Sequence, residues 1–151
     1  MTLKIRTLLS ISSMPTKVAK NYKPSAKEKY MCAKHKAYFK QLLFNWKKEL
    51  IDQNNRIIFN ELDDNSASAD VVDQATSYTG KAVEMRTVAR NKKLINKIEN
   101  AVKKIEDGTY GYCEETGEEI GLKRLMARPI ASLCIEAQEK HEKQEKIFAE
   151  D

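Results

Sequence analysis

From Ala33 to Leu62 the chain contains neither glycine nor proline. So long a stretch without a breaker predicts a single long helix. Along it Phe39, Leu43, Trp46, Leu50 and Ile57 recur on steps of four and three, with Gln53 and Asn60 in the later slots. That spacing draws one stripe down one face of a helix, the seam of a coiled coil. The stripe is apolar at one end and polar at the other. At ~1.5 Å per residue the helix would run to roughly 45 Å.

Asp63-Asp64-Asn65-Ser66-Ala67-Ser68-Ala69-Asp70 comes next. Asp, Asn and Ser compete for backbone hydrogen bonds and favour turns and caps, so a tight reversal is expected. A second helical segment runs from about Val71 to Glu106, with Val88, Asn91, Ile95, Ile98, Val102 and Ile105 on the same spacing. Gly80 inside it costs about 1 kcal/mol relative to alanine and predicts fraying near the turn. Gly108 stands where a helix end needs a left-handed residue.

Two helices of matched length joined by a short turn fold back as an antiparallel hairpin. Its apolar end gathers Phe39, Trp46, Ile98 and Val102. Its polar end cannot hold itself together, so the hairpin must be anchored at its base by the segment after Gly108. The fold class expected is mainly α: a long antiparallel coiled-coil hairpin, a small zinc-ribbon-like globular base and a C-terminal helix.

Residues 110–129 read as a Gly-rich, turn-forming base closed by Pro129, and a last helix runs from about Ala131 to Phe148, starting near Ser132. Ahead of the hairpin, Ser25 and Glu28 have the spacing of a capping box, which predicts a helical turn. Three units result: a flexible basic tail over 1–24, an N-terminal segment and arm over 25–109 with its tip near 63–75, and a base module with C-terminal helix over 110–151. Met14 offers a second candidate start.

The net charge is +5, but residues 1–27 hold six basic groups and no acid, leaving 21 basic and 22 acidic residues in the rest. The body is therefore a mixed-charge surface rather than a nucleic-acid-reading face. No apolar run approaches the ~18 residues needed to cross a bilayer. The N-terminal apolar stretch Leu8-Leu9-Ser10-Ile11 is too short for a secretory signal. A cytoplasmic, monomeric protein is expected.

Cys32, Cys113 and Cys134 do not make a disulfide framework. The pattern C-x2-C-x17-C-x2-C would surround one tetrahedral Zn²⁺ with four thiolates. Its four slots here read Cys113, Thr116, Cys134 and Ala137. Threonine and alanine supply no thiolate, so packing is expected to replace the metal. His141, Glu114, Glu115, Glu118 or Glu136 could complete a zinc site around the two cysteines, and a Cys113–Cys134 disulfide is the oxidised alternative.

The run Lys103-Lys104-Ile105-Glu106-Asp107-Gly108-Thr109-Tyr110-Gly111-Tyr112-Cys113 is one of several that resemble one family. The others are Glu119-Ile120-Gly121, Arg124-Leu125, Ala127-Arg128-Pro129, Leu133-Cys134, Lys29-Tyr30-Met31 and Asp70-Val71-Val72-Asp73-Gln74-Ala75. Together these segments, in this order over about residues 29–146, resemble the DksA/TraR zinc-finger family. The incomplete cysteine set is similar to the family's alphaproteobacterial form. The resemblance implies a factor that binds RNA polymerase directly, without sequence-specific DNA contacts. Its coiled coil would enter the secondary channel and destabilise open promoter complexes. The alarmone ppGpp would strengthen the effect, lowering stable RNA and raising amino-acid biosynthesis transcripts.

By the same resemblance Asp70, Asp73 and Ala75 form the tip that approaches the polymerase active centre. Arg90, Leu94, Lys97 and Arg128 fall at or beside the alarmone site. Gln138 stands where the family usually has lysine, which implies a weaker ppGpp response. Read for its chemistry alone, Asp70 is also an N-cap for the second helix, and Lys97 is a solvated coiled-coil lysine.

Other functions fit less well. With two histidines (His35 and His141), no nucleophile–base motif and no phosphate-cradling loop, the chain does not read as an enzyme. A Gre-type transcript-cleavage factor shares an acidic coiled-coil tip but not the cysteine-bearing module. A generic coiled-coil adaptor would give Asp73 no role.

Overall fold

The computed structural model describes residues 22–63 and 71–149, with side chains over 22–60 and 78–148. Four helices follow in order: α1 (Ala33–Asp63), α2 (Val71–Asp107), α3 (Leu122–Ala127) and α4 (Ile135–Ala149). The chain is mainly α. Of the expected reversal over 63–70 all but Asp63, and of the expected flexible tail over 1–24 residues 1–21, lie outside the described residues; the end of that tail is instead held, with Tyr22 donating to Glu28 and packing on Tyr38 and with Pro24 buried.

Helices α1 and α2 pack antiparallel, and cross-helix bonds fix their register. Lys40 Nζ meets Glu106 Oε1 at 2.8 Å, Lys47 Nζ meets Glu99 Oε1 at 2.7 Å, and Asn91 Nδ2 donates to Asn54 Oδ1 at 2.9 Å. Each partner climbs α1 by seven residues while the other descends α2 by seven or eight. The two ion pairs are partly exposed and add only tenths of a kcal/mol each. They report alignment more than they supply stability.

The apolar seam supplies the stability. Phe39, Leu43, Ile98 and Ile105 are wholly buried, Leu50 and Ala101 nearly so, and Trp46, Leu94, Ile95 and Val102 pack against them. Two expected seam residues of α1, Gln53 and Asn60, are exposed. Asn54, the neighbour of Gln53, turns inward to pair with Asn91. Ile57 keeps its expected inward slot, so the change at Asn54 is local and goes with the Asn54–Asn91 bond.

Helix α2 runs unbroken through Gly80. It ends at Asp107, where Gly108 takes φ +82° and Thr109 N–H donates to Lys104 O at 3.0 Å. This is the left-handed C-cap expected at that glycine.

The base continues the arm's core. Tyr110, Cys113, Ile120, Leu125, Cys134 and Ala137 are buried in one cluster with Phe39 and Ile105. Tyr110 packs its ring against Phe39 and donates its buried hydroxyl to Pro129 O at 2.7 Å. Tyr30 donates to Gly111 O at 2.7 Å and accepts from Gly121 N–H at 3.3 Å. Gly111 combines φ +93° with Met31 pressed where a Cβ would stand, at 2.8 Å from Met31 Cε. Only glycine fits both conditions.

Three local expectations are corrected. The segment read as turns contains α3, six residues that bury Leu125. The last helix starts at Ile135 rather than near Ala131–Ser132. The residues before it are tied to the base, with Glu114 N–H donating to Ser132 O at 3.0 Å. Ser25 and Glu28 form a turn (Glu28 N–H to Ser25 O, 3.2 Å), but the Glu28 carboxylate faces Tyr22, Lys34 and His35 instead of closing a capping box.

Candidate functional site

Two regions hold the residues singled out from the sequence: the arm's far end and the junction of arm and base. At the far end, Asp73 and Ala75 fall in the first two turns of α2, while Asp70 lies outside the described residues. The half of the arm leading there is thinly packed. Beyond Leu50 its inward positions are half-buried Asn54, Ile57, Val88 and Asn91, and none of its described residues is fully buried. Phe44, Ile51 and Ile58 lie on steps of seven along α1 and are exposed.

At the junction, the last turns of α2 meet the base around a cleft of about 490 Å³. Lys97, Lys103, Lys104, Arg124 and Arg128 line it against Asp107 and Glu114, with Gln138 at its side. Two of the cations are engaged. Lys104 pairs with Glu114 at 2.5 Å, and Arg124 Nε donates to Leu133 O at 3.2 Å. Lys97, Lys103 and Arg128 hold no ion pair among the described residues. An excess of cations, with a guanidinium and two ammoniums uncommitted, suits a phosphate-bearing anion.

The fold thus brings Lys97 and Arg128 together from distant parts of the chain. It does not bring Arg90 or Leu94 to the cleft. Leu94 packs against the arm's core, and exposed Arg90 sits about two turns of α2 farther toward the tip. Lys103 and Arg124 were not singled out from the sequence. On a helix of mixed charge nothing distinguishes Lys103 from its neighbours until the base forms the cleft that it lines.

The retained cysteines are both buried. Cys134 is the N-cap of α4: its Sγ accepts Ala137 N–H at 3.5 Å and lies 3.8 Å from Thr116 Oγ1. The Ala137 methyl is itself buried. Around Cys113, burial pushes the thiol up, but hydrogen bonds outweigh it. They come from the Thr116 hydroxyl and from the backbone N–H groups of Thr116, Cys134 and Glu115, and bring Cys113 down to about 6. The four slots therefore offer two sulfurs engaged by hydrogen bonds, one hydroxyl and one buried methyl. This donor set does not fit a four-thiolate zinc ion. A further tie joins the base to α4, where His141 meets the Glu115 carboxylate, which raises the imidazole's proton affinity.

Comparison with known proteins agrees with this architecture. Residues 35–105 match the model of the "DnaK suppressor protein DksA, N-terminal domain", and residues 108–143 that of the "Prokaryotic dksA/traR C4-type zinc finger". The chain is 45% identical over 131 residues to the RNA polymerase-binding transcription factor DksA of Caulobacter vibrioides, covering 87% of this chain and 92% of that protein. It is 37% identical over 144 residues to the protein of the same name from Escherichia coli K12, covering 95% of each. Among solved structures it is similar to transcription factor DksA2 from Pseudomonas aeruginosa. The TM-score is 0.71 and the identity 40%, over 82% of this chain and 93% of that one. No helix among the described residues is long and apolar enough to cross a membrane.

Proposed function

Because this chain belongs to the DksA/TraR family, we propose that it is an RNA polymerase-binding transcription factor of the cytoplasm, acting by insertion of its helical arm rather than by catalysis. The observation that carries this reading is the arm itself. It is two helices wide, is held from one end by the shared core, and toward its far end has no core of its own among the described residues, where Ile58, Phe59, Tyr78, Val83 and Met85 are exposed. Such a shape suits entry into a narrow channel. There the carboxylates of Asp70 and Asp73 would act by charge on basic side chains or on the catalytic metal region. Ala75 leaves room for close approach. The consequence is destabilised open promoter complexes, with stable RNA transcription lowered and amino-acid biosynthesis raised.

The cleft at the arm's base is the proposed site of ppGpp, with Lys97 and Arg128 taking its phosphates. Arg90 and Leu94 lie away from the cleft walls, so their part would be in contacts outside it. Gln138 brings a neutral amide to the cleft, which predicts a weaker response to the alarmone than a lysine there would give. The base module is proposed to be held by packing and by its hydrogen-bonded thiols rather than by zinc at the four slots.

The test is open-complex lifetime on a ribosomal RNA promoter with the organism's own polymerase, with and without ppGpp. Wild type is compared with the Lys97→Ala/Arg128→Ala double variant. The expected result is a shortened lifetime with wild type, and a ppGpp increment that is lost in the double variant while the basal effect remains. No change of lifetime with well-folded wild type would refute the proposal.

A further inference from the structure

At the N-terminus of α1, away from the four ribbon slots, Glu28, Cys32 and His35 converge. One ligand atom from each lies within 4.8 Å of the other two. We propose that this triad is a Zn²⁺ site, with three protein ligands and a fourth position open to water.

The convergence follows from local backbone geometry. Cys32 precedes the first residue of α1, and its carbonyl accepts Lys36 N–H at 3.1 Å, so it is the N-cap. His35 is three residues on. Side chains at these two positions face each other, which is why a capping box can close between them. Here they are a thiol and an imidazole. Glu28 reaches them from the preceding turn, which Met31 redirects with φ +47°. Met31 is itself buried against Gly111, so the approach of the turn to α1 is fixed by the core.

The histidine is the observation that points to a ligand. His35 is 0% exposed, and the nitrogen it turns to the triad, Nε2, meets only the partly exposed Glu28 carboxylate, at 3.1 Å. Nε2 is the nitrogen that would take the ion, and an imidazole so fully buried beside a carboxylate and a thiol presents a preformed ligand. A carboxylate would suffice to accept one proton, but a thiol beside it adds a soft donor.

Sulfur, imidazole nitrogen and carboxylate oxygen together match Zn²⁺, and the presence of sulfur and nitrogen argues against Ca²⁺ and Mg²⁺. The Glu28 side chain is 31% exposed and Cys32 is partly exposed, which leaves an entry path. The Tyr22 hydroxyl donates to Glu28 Oε2, an outer contact of the kind that orients a ligating carboxylate. Binding would release the Cys32 thiol proton to solvent and needs His35 neutral; no other bond changes. The ion would clip the 22–32 segment onto α1, and so hold Tyr30 and Met31 against Gly111.

The test uses the full chain, stripped of metal. Zn²⁺ is titrated in competition with a chromogenic chelator, and Co²⁺ is then added to read thiolate-to-cobalt charge transfer. Variants are Cys32→Ser, whose hydroxyl keeps an N-cap and hence the fold, and Cys113→Ser/Cys134→Ser, with far-UV circular dichroism as the control. The expected result is one Zn²⁺ per wild-type chain, kept in the ribbon double variant. Cys32→Ser should lose both that Zn²⁺ binding and the charge-transfer band. Tyr22→Phe should weaken binding by about 10–100-fold. Failure of wild type to take up Zn²⁺ would overturn the proposal. So would binding that survives in Cys32→Ser but is lost in the ribbon double variant.

Discussion

The base of this molecule and the far half of its arm are built from the same pair of helices, yet they are held by different physics. At the base, Phe39, Leu43, Ile98 and Ile105 are closed over by Tyr110, Ile120 and Leu125, and every layer has a partner. Past Leu50 the seam passes to an Asn–Asn hydrogen bond and half-buried Ile57 and Val88. The far half therefore borrows its order from the base. A chain that needed only stability would continue the apolar seam outward. Here the seam is partly polar and Ile51, Ile58, Phe59, Val83 and Met85 stay exposed, so among the described residues the arm stays two helices wide without a core of its own.

The largest expected effect breaks the comparison at its strong end. Phe39→Ala should cost about 3–5 kcal/mol, as truncation of a fully buried aromatic does. Ile57→Ala on the arm should cost under about 1 kcal/mol, since a half-buried side chain has less contact to lose. Equal losses in urea unfolding would show that the arm has a core of its own. Gly111→Ala comes next. It forces a side chain into a left-handed backbone and against Met31, and should cost about 1–3 kcal/mol.

A smaller and opposite effect is expected on the arm. Gly80 is helical and exposed, and a methyl group added there would meet nothing within 4 Å. Gly80→Ala should stabilise by up to about 1 kcal/mol and raise the thermal midpoint. A lower midpoint would mean that α2 is not helical there in solution.

The smallest effect depends on pH. The folded Cys113 thiol titrates near 6, below its ordinary value of 9.0. A depressed value means that the thiolate's stabilisation is fully present above the unfolded value and is lost as pH falls through about 6. Thr116→Val removes one of the bonds responsible. The gap in thermal midpoint between wild type and this variant should therefore be wider at pH 9 than at pH 6. A gap independent of pH would mean that Thr116 acts through packing alone.

The helices were legible because their signal is long. Many turns of seam residues outvote the two misplaced ones, Gln53 and Asn60. Gly108 was legible because only one conformation ends a helix so. Helix α3 was not, since Leu122–Ala127 is shorter than two turns and shows no period. The start of α4 was hidden because Ser132 spends its carbonyl on Glu114, a contact made across the base. The cleft was half legible: Lys97 and Arg128 came from a resemblance, while Lys103 and Arg124 join them only through folding. Glu28, Cys32 and His35 had a signal, a thiol at an N-cap and an imidazole three residues on. It was masked by reading Ser25 and Glu28 as a capping box.

The central proposal is that the tip acts on the polymerase by its charge and is not what holds the protein there. The direct measurement is polymerase affinity and open-complex lifetime, made side by side for wild type and Asp73→Asn. Affinity is predicted to stay unchanged within about twofold while the variant loses the lifetime effect, because one charge at the tip is removed and the base is untouched. An Asp73→Asn protein that shortens open-complex lifetime as wild type does would contradict the claim.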